Sequence, residues 1–221
     1  MKFVLLTSMP SAAYQLVYMA QTRGIRFEDV VIVGEDGPKY WLFHDYATVN
    51  RFRLHFVPGV NHETTLALLR DLAPDVIKIV TGDLVRRPLL EIPRLGVLNS
   101  HAAMLPRYRG VDTPLWAILE GGEVGCVEHF VDEGVDTGDI LVSRRLDLRP
   151  GDTIPSVLTR NHYENKWQGA TEALVQLRDG TARRQPQRPE DGHQYFRMHP
   201  KLVALVEARL AKLARDDGAD A

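Results

Sequence analysis

The 221-residue chain holds one cysteine, Cys126. A single thiol cannot build an intrachain disulfide framework, and it fits a reducing compartment. Cys126 lies in an apolar strand-like run, which reads as a buried, inert thiol. An excess of one charge is also missing. The 27 Lys and Arg against 29 Asp and Glu leave a formal net charge of −2, which speaks against a general nucleic-acid surface and against electrostatic docking on a membrane. The apolar opening, residues 1–7, is too short to cross a bilayer. Pro10 follows it without a small-residue cleavage site, so it reads as the first strand of a cytoplasmic protein. The turn after that strand, Ser8-Met9-Pro10-Ser11, has no glycine. A dinucleotide fingerprint needs glycines there so that backbone can approach a pyrophosphate, and their lack argues against NAD. No internal repeat or low-complexity domain is visible.

What is present alternates between strand and helix. Phe3–Thr7 is a continuous apolar run, as in a strand buried on both faces. Ser11 can cap a helix ending near Gly24, and a second apolar run, residues 30–33, ends at Gly34. This strand–helix–strand opening predicts an α/β fold with a doubly wound, mostly parallel twisted sheet. Residues 35–53, rich in Tyr40, Trp41, Phe43 and Tyr46, read as an amphipathic segment on the sheet edge or as an aromatic wall for a substrate. A short strand at residues 54–57 follows, and Asn61 is placed to cap the next helix. Val76–Val80 and Gly96-Val97-Leu98 are further buried strands. Residues 114–119 predict a helix stopped by Gly121-Gly122, then come a strand at 124–131 carrying His129 and an antiparallel strand at 140–148. Asp152 or Thr153 caps one long helix reaching about Leu177. The tail, residues 184–221, reads as a short C-terminal extension to a catalytic domain at 1–183, with a helix at about 201–213 and disorder over 216–221.

Two stretches carry chemistry. Asn99 and His101, two apart at the end of a strand, point to the same side. The following residues reach Pro106, which lacks an N–H, and Gly110, so they read as a loop and not as a sheet strand. Gly134-Val135-Asp136-Thr137-Gly138-Asp139 brings carboxylates to a second junction. In open α/β sheets ligands bind where strands give way to loops, and Asn99, His101 and Asp136 are expected to converge there around an open cleft. Attack of a nucleophile on a carbonyl carbon would build negative charge on oxygen. The Asn99 amide can donate to it, worth about 3–4 kcal/mol for one such donor. His101, with an ordinary pKa of about 6.5, can move a proton, and Asp136 can orient or support the imidazolium. No metal is called for. His129 is either a satisfied strand histidine or a neighbour of the site.

The run Asn99-Ser100-His101-Ala102-Ala103-Met104-Leu105-Pro106-Arg107-Tyr108-Arg109-Gly110 resembles the N-x-H…L-P-x-x-R-G signature of folate-dependent formyltransferases. Residues 125–131 and 134–140 resemble the same family's next strand and D-x-G loop, in the same order. The resemblance implies a Rossmann-like formyltransferase fold, 10-formyltetrahydrofolate as formyl donor, and Asn99, His101 and Asp136 as catalytic residues. It also implies a donor pocket built from Leu84, Val85 and Arg86, largely through backbone, and from Asp132, Glu133, Gly134 and Val135. Three residues depart from the pattern: Ser100 replaces an aliphatic, Ala103 stands where the family often has serine, and Glu128 puts a charge in a core strand. The first turn lacks the glycine-containing phosphate loop of the glycinamide ribonucleotide branch. The chain also stops before the C-terminal domain of methionyl-tRNA formyltransferases. The expected acceptor is therefore a small-molecule amine, with a nucleotide-linked amino sugar as the first choice, and a homodimer is left open. Glycinamide ribonucleotide, methionyl-tRNA and water (a formyltetrahydrofolate hydrolase) are the alternative acceptors, and a folate- or nucleotide-binding module without turnover is the non-enzyme alternative.

Overall fold

The computed structural model describes residues 1–216. It begins with β1 (Phe3–Thr7), α1 (Pro10–Thr22), β2 (Phe27–Val33), α2 (Trp41–Asn50), β3 (Arg53–Val57), α3 (Glu63–Leu72), β4 (Val76–Val80), the short α4 (Arg87–Leu90) and β5 (Gly96–His101). It continues with β6 (Tyr108–Gly110), α5 (Thr113–Glu120), β7 (Val124–Phe130), β8 (Ile140–Leu146), α6 (Ile154–Arg160), α7 (Trp167–Arg178), β9 (His193–Tyr195) and α8 (Pro200–Asp216). Seven strands form one sheet in the order β3-β2-β1-β4-β5-β7-β8. The pairs β2–β3, β1–β2, β1–β4 and β4–β5 are parallel, and β7–β8 is antiparallel. The expected doubly wound, mostly parallel α/β sheet is what forms.

The chain divides into two compact units. The first comprises Met1–Asn99, Phe130–Glu133 and Leu174–Ala182. All five residues of β1 and of β4 are buried, as expected for parallel strands covered on both faces. Val4, Leu6, Val31, Leu69, Ile77 and Val97 share one core cluster. The second unit holds Ser100–His129, Gly134–Ala173 and the chain from Arg183 onward. Its core joins Tyr108, Leu115, Ile118, Val124 and Leu146 to Met198, Val206 and Leu210. Residues of the C-terminal stretch therefore help build the core of the unit that carries His101.

Several local expectations give way to stronger partners. Helix α1 starts at Pro10 with Met9 as its N-cap, so Ser11 lies inside it, and Thr7 Oγ1 accepts the Met9 N–H at 2.8 Å. The N-cap of α3 is His62, whose side chain accepts from the Thr64 N–H. Asn61 instead bridges the loop after β4, donating to the Leu84 carbonyl at 2.7 Å and accepting from the Arg86 N–H at 2.9 Å. Residues 38–50 form a 3-10 turn and α2, which buries Tyr40, Phe43 and Ala47. Tyr14 of α1 meets Phe43 and Tyr46 there. The stretch read as loop beyond His101 contains β6, which pairs in parallel with β9 in a separate two-stranded sheet. Thr153 does cap α6 through a capping box. The α8 helix runs to Asp216, the first residue of the expected disorder, and residues 217–221 lie outside the described residues.

The long helix predicted over 153–177 is interrupted by a π-helical turn, Asn161–Lys166. The wide turn places two buried asparagines four apart on the inner face. Asn161 Nδ2 donates to the carbonyls of Ala102 and Gly125, at 3.1 and 2.7 Å. Asn165 Nδ2 donates to Asn161 Oδ1 and to the Arg145 carbonyl. Side-chain amides that satisfy strand-end carbonyls compensate for the altered helical ladder, and such insertions cluster at functional sites. Replacing Asn161 by Ala removes both donors and leaves the carbonyls buried, so a loss of about 2–4 kcal/mol is expected. Urea denaturation measures it, and a change under 0.5 kcal/mol would mean that water replaces the amide at no cost.

Candidate active site

Strand β5 delivers the site. Alternation along it puts Asn99 and His101 on one face and Ser100 on the other. Ser100 Oγ donates to Glu128 Oε2 at 2.5 Å, and both residues are buried. Two of the three departures from the sequence pattern therefore partner each other. His101 closes the strand with its ring 6 % exposed. Its Nε2 lies 2.6 Å from the Tyr108 carbonyl and 3.3 Å from Thr113 Oγ1, while Nδ1 lies 3.3 Å from Asp136 Oδ2. A neutral imidazole carries one N–H, yet each ring nitrogen here faces an acceptor. The ring can thus gain, lose or relocate a proton without turning over.

Asp136 sits at φ +55°, in the left-handed region that aspartate tolerates better than most residues. Its Oδ2 accepts the Gly110 N–H at 2.8 Å, and Oδ1 lies 3.5 Å from His129 Nε2. Two imidazoles and a main-chain N–H therefore surround one carboxylate that is 14 % exposed. Gly110 is itself at φ +101°, and a Cβ there would run into the Tyr195 carbonyl oxygen, so glycine is needed to aim that N–H. Burial raises the Asp136 pKa. The His129 hydrogen bond, the His101 charge and the Gly110 N–H overcome it and hold the carboxyl at about 2. Burial pushes the His101 imidazole below its ordinary value, and the Asp136 carboxylate pulls it back up.

This polar pair, on a strand end and in the loop that joins the antiparallel strands β7 and β8, lies inside a segment shared with known proteins. Residues 55–174, more than half of the chain, match the formyl transferase family. The chain belongs to that family. A methionyl-tRNA formyltransferase from Agathobacter rectalis is 34 % identical over 139 residues, which are 62 % of this chain and 44 % of that protein. The chain thus spans less than half the length of that relative. Among solved structures, glycinamide ribonucleotide transformylase 1 from Symbiobacterium toebii superposes with a TM-score of 0.68 at 22 % identity, covering 85 % of this chain and 94 % of that one. The formyltransferase PseJ from Anoxybacillus kamchatkensis, solved with UDP-4,6-dideoxy-4-formamido-L-AltNAc and tetrahydrofolate, gives 0.58 at 24 % identity, covering 76 % and 85 %.

His101 and Asp136 meet, with side chains 6 % and 14 % exposed, and Asn99 shares strand β5 with His101. His129, left open by the sequence, lies on Asp136. In the loop after β4, Leu84 is 74 % exposed, Val85 packs against the first unit's core, and the Arg86 N–H is held by Asn61. Glu133 pairs with Arg87 at 3.4 Å on the surface, Asp132 and Gly134 are exposed, and Val135 is half-buried. Sequence reasoning missed Gly110 N–H, the Tyr108 carbonyl, Thr113 and Gln187, whose amide donates to the Asp136 and Gly138 carbonyls. Main-chain groups have no residue signature, and Gln187 lies in a stretch with none. Cys126 donates its thiol to the His101 carbonyl at 2.9 Å, in keeping with a structural thiol. Among the described residues no helix is long and apolar enough to cross a membrane.

The pKa directions set a pH dependence. His101 is lowered from 6.5 in the folded state, so its stabilisation is complete above 6.5 and is lost as pH falls below it. Asp136 is lowered from 3.8 to about 2, so its part is present above 3.8 and disappears as pH falls toward 2; the shift corresponds to ~2 kcal/mol. Thermal melting from pH 8 to pH 3 should show Tm already falling below pH 6.5 in wild type. Asp136→Asn should show a smaller fall below pH 3.8, the remainder coming from Asp29, Asp75 and Asp152, whose carboxyls are also held below their ordinary value. A wild-type Tm constant down to pH 5 would contradict the buried, neutral assignment of His101.

Proposed function

We propose that the protein is a folate-dependent N-formyltransferase, carrying a formyl group from 10-formyltetrahydrofolate to the primary amine of a small-molecule acceptor. The observation that carries this reading is the buried His101–Asp136–His129 constellation inside a matched family segment. The loop 84–86 suits the donor: Leu84 leaves a large apolar side chain exposed on a backbone that Asn61 fixes at both ends, a surface fit for a flat heteroaromatic ring. The donor supplies an activated formamide, whose carbon bonds to the acceptor nitrogen while its bond to N10 breaks, giving the N-formyl product and tetrahydrofolate. Asn99 donates its amide N–H to the formyl oxygen as negative charge builds there. His101 takes the proton that the acceptor nitrogen sheds and returns it to N10, so no net proton is lost. Asp136 holds the charged form of the ring in a place where burial alone would expel it.

For the acceptor, a nucleotide-linked amino sugar is favoured by the near-neutral charge and by the formamido sugar in the PseJ complex. A cytoplasmic setting agrees with the lone buried cysteine. The purified protein, given the donor, is to be offered nucleotide-linked amino sugars, glycinamide ribonucleotide, methionyl-tRNA and no amine. Formylation confined to methionyl-tRNA or to glycinamide ribonucleotide would replace the sugar, and full turnover without amine would make the protein a hydrolase. With the accepted amine, Asn99→Ala, His101→Ala and Asp136→Ala should each lower kcat at least about 100-fold. His101→Ala and Asp136→Ala should also lose stability, because each strips a partner from a buried polar group.

A further inference from the structure

Asp136 occupies a backbone conformation that few residues adopt, so something must hold the loop there. Gln187, fifty-one positions later in sequence, supplies two hydrogen bonds to that loop. Its Nε2 donates to the Asp136 carbonyl at 3.1 Å and to the Gly138 carbonyl at 2.6 Å. The chemistry fixes which end of the amide faces the loop, since the opposite orientation would set an oxygen against two carbonyl oxygens. Gln187 Oε1 is buried with no hydrogen-bond partner, a cost accepted while Nε2 serves the loop.

The chain on either side of Gln187 is tied down. Gln185 and Ile140 exchange N–H···O bonds, both at 2.9 Å. Beyond it, the His193 N–H donates to the Arg107 carbonyl, the Val111 N–H to the Tyr195 carbonyl, and β9 pairs with β6. Gly192 passes so close to Pro106 that a Cβ would strike the Pro106 carbonyl oxygen. Gln187 is thus a short arm on a fixed base. The same two-stranded sheet carries Gly110, whose N–H holds the other side of Asp136.

We propose that Gln187 is a positioning residue, whose carboxamide locks the 136–138 turn so that the Asp136 carboxylate stays between His101 and His129. It touches no reacting atom and acts through Asp136. The effect on turnover rests on the formyl-transfer reading; the effect on the histidines does not.

The test compares wild type with Gln187→Glu, which keeps the shape but has no N–H to give, and with Gln187→Ala as a second variant should the glutamate fail to fold. The first readout is the titration of the His101 imidazole by nitrogen-15 NMR. Release of the carboxylate that pulls this pKa up should make His101 titrate at lower pH than in wild type. The second is turnover: kcat should fall about 10- to 100-fold, as expected for displacing a catalytic group by about 1 Å, with the acceptor KM within about threefold. In an Asp136→Asn background, Gln187→Glu should cost less than about twofold, because the residue acts through the carboxylate. An unchanged His101 titration in a folded variant would overturn the proposal, and so would an undiminished loss in the Asp136→Asn background. If wild type transfers no formyl group, the functional reading fails and the NMR comparison alone decides the role of Gln187.

Discussion

One carboxylate, that of Asp136, sets the terms for the second unit. An ionised group this deeply buried is unfavourable unless charges and donors surround it, and here His129, His101 and the Gly110 N–H do so. Each of those partners makes a further demand. Gly110 must be glycine because Tyr195 passes against it, so β9 has to come from the far end of the sequence to complete the arrangement. His129 must lie inward on β7, every residue of which is buried. His101 must be fixed at both ring nitrogens, which draws in the Tyr108 carbonyl.

The backbone around His101 is held as firmly as the ring. Its carbonyl accepts from Cys126, and the next carbonyl, that of Ala102, accepts from Asn161 in the π-helical turn. Ser100, on the opposite face, is tied to Glu128. The proton-moving role proposed for His101 would gain from such rigidity, because each ångström of drift would remove it from the reacting atoms. The polar groups that secure it are mutually satisfied, so their burial specifies one arrangement and does not merely cost stability.

The fold was legible where period and punctuation were unambiguous. The apolar runs of β1 and β4 read as buried parallel strands because strand burial on both faces leaves a continuous apolar sequence. Asn99, His101 and Asp136 stood out because three motifs occur in one order, and the structure brings His101 and Asp136 together. What stayed hidden was decided by partners far away in sequence. Asn61 looked like a helix cap, yet two backbone groups of the loop after β4 compete for its amide and win. Residues 161–166 carry the pattern of an ordinary helix, and only the carbonyls of Ala102 and Gly125 explain the extra residue in the turn. Strand β6, three residues long, has no pattern of its own and exists because β9 pairs with it.

The distribution of these parts along the chain bears on how one chemistry can serve different acceptors. Asn99, His101, His129 and Asp136 all fall within residues 55–174, the segment that matches the family. Gln187, β9 and the Gly192 crossing fall outside it, although they brace the loop and the short strand on which those side chains depend. In the proposed reaction the reacting groups are constrained by the bond they make and break, which is the same whatever amine is formylated. The braces act on backbone atoms: Gln187 donates to two carbonyls of the 136–138 turn, and Gly192 leaves room for the Pro106 carbonyl. Such braces therefore reach the geometry around Asp136 only through main-chain atoms, and leave the reacting side chains to the segment the family shares.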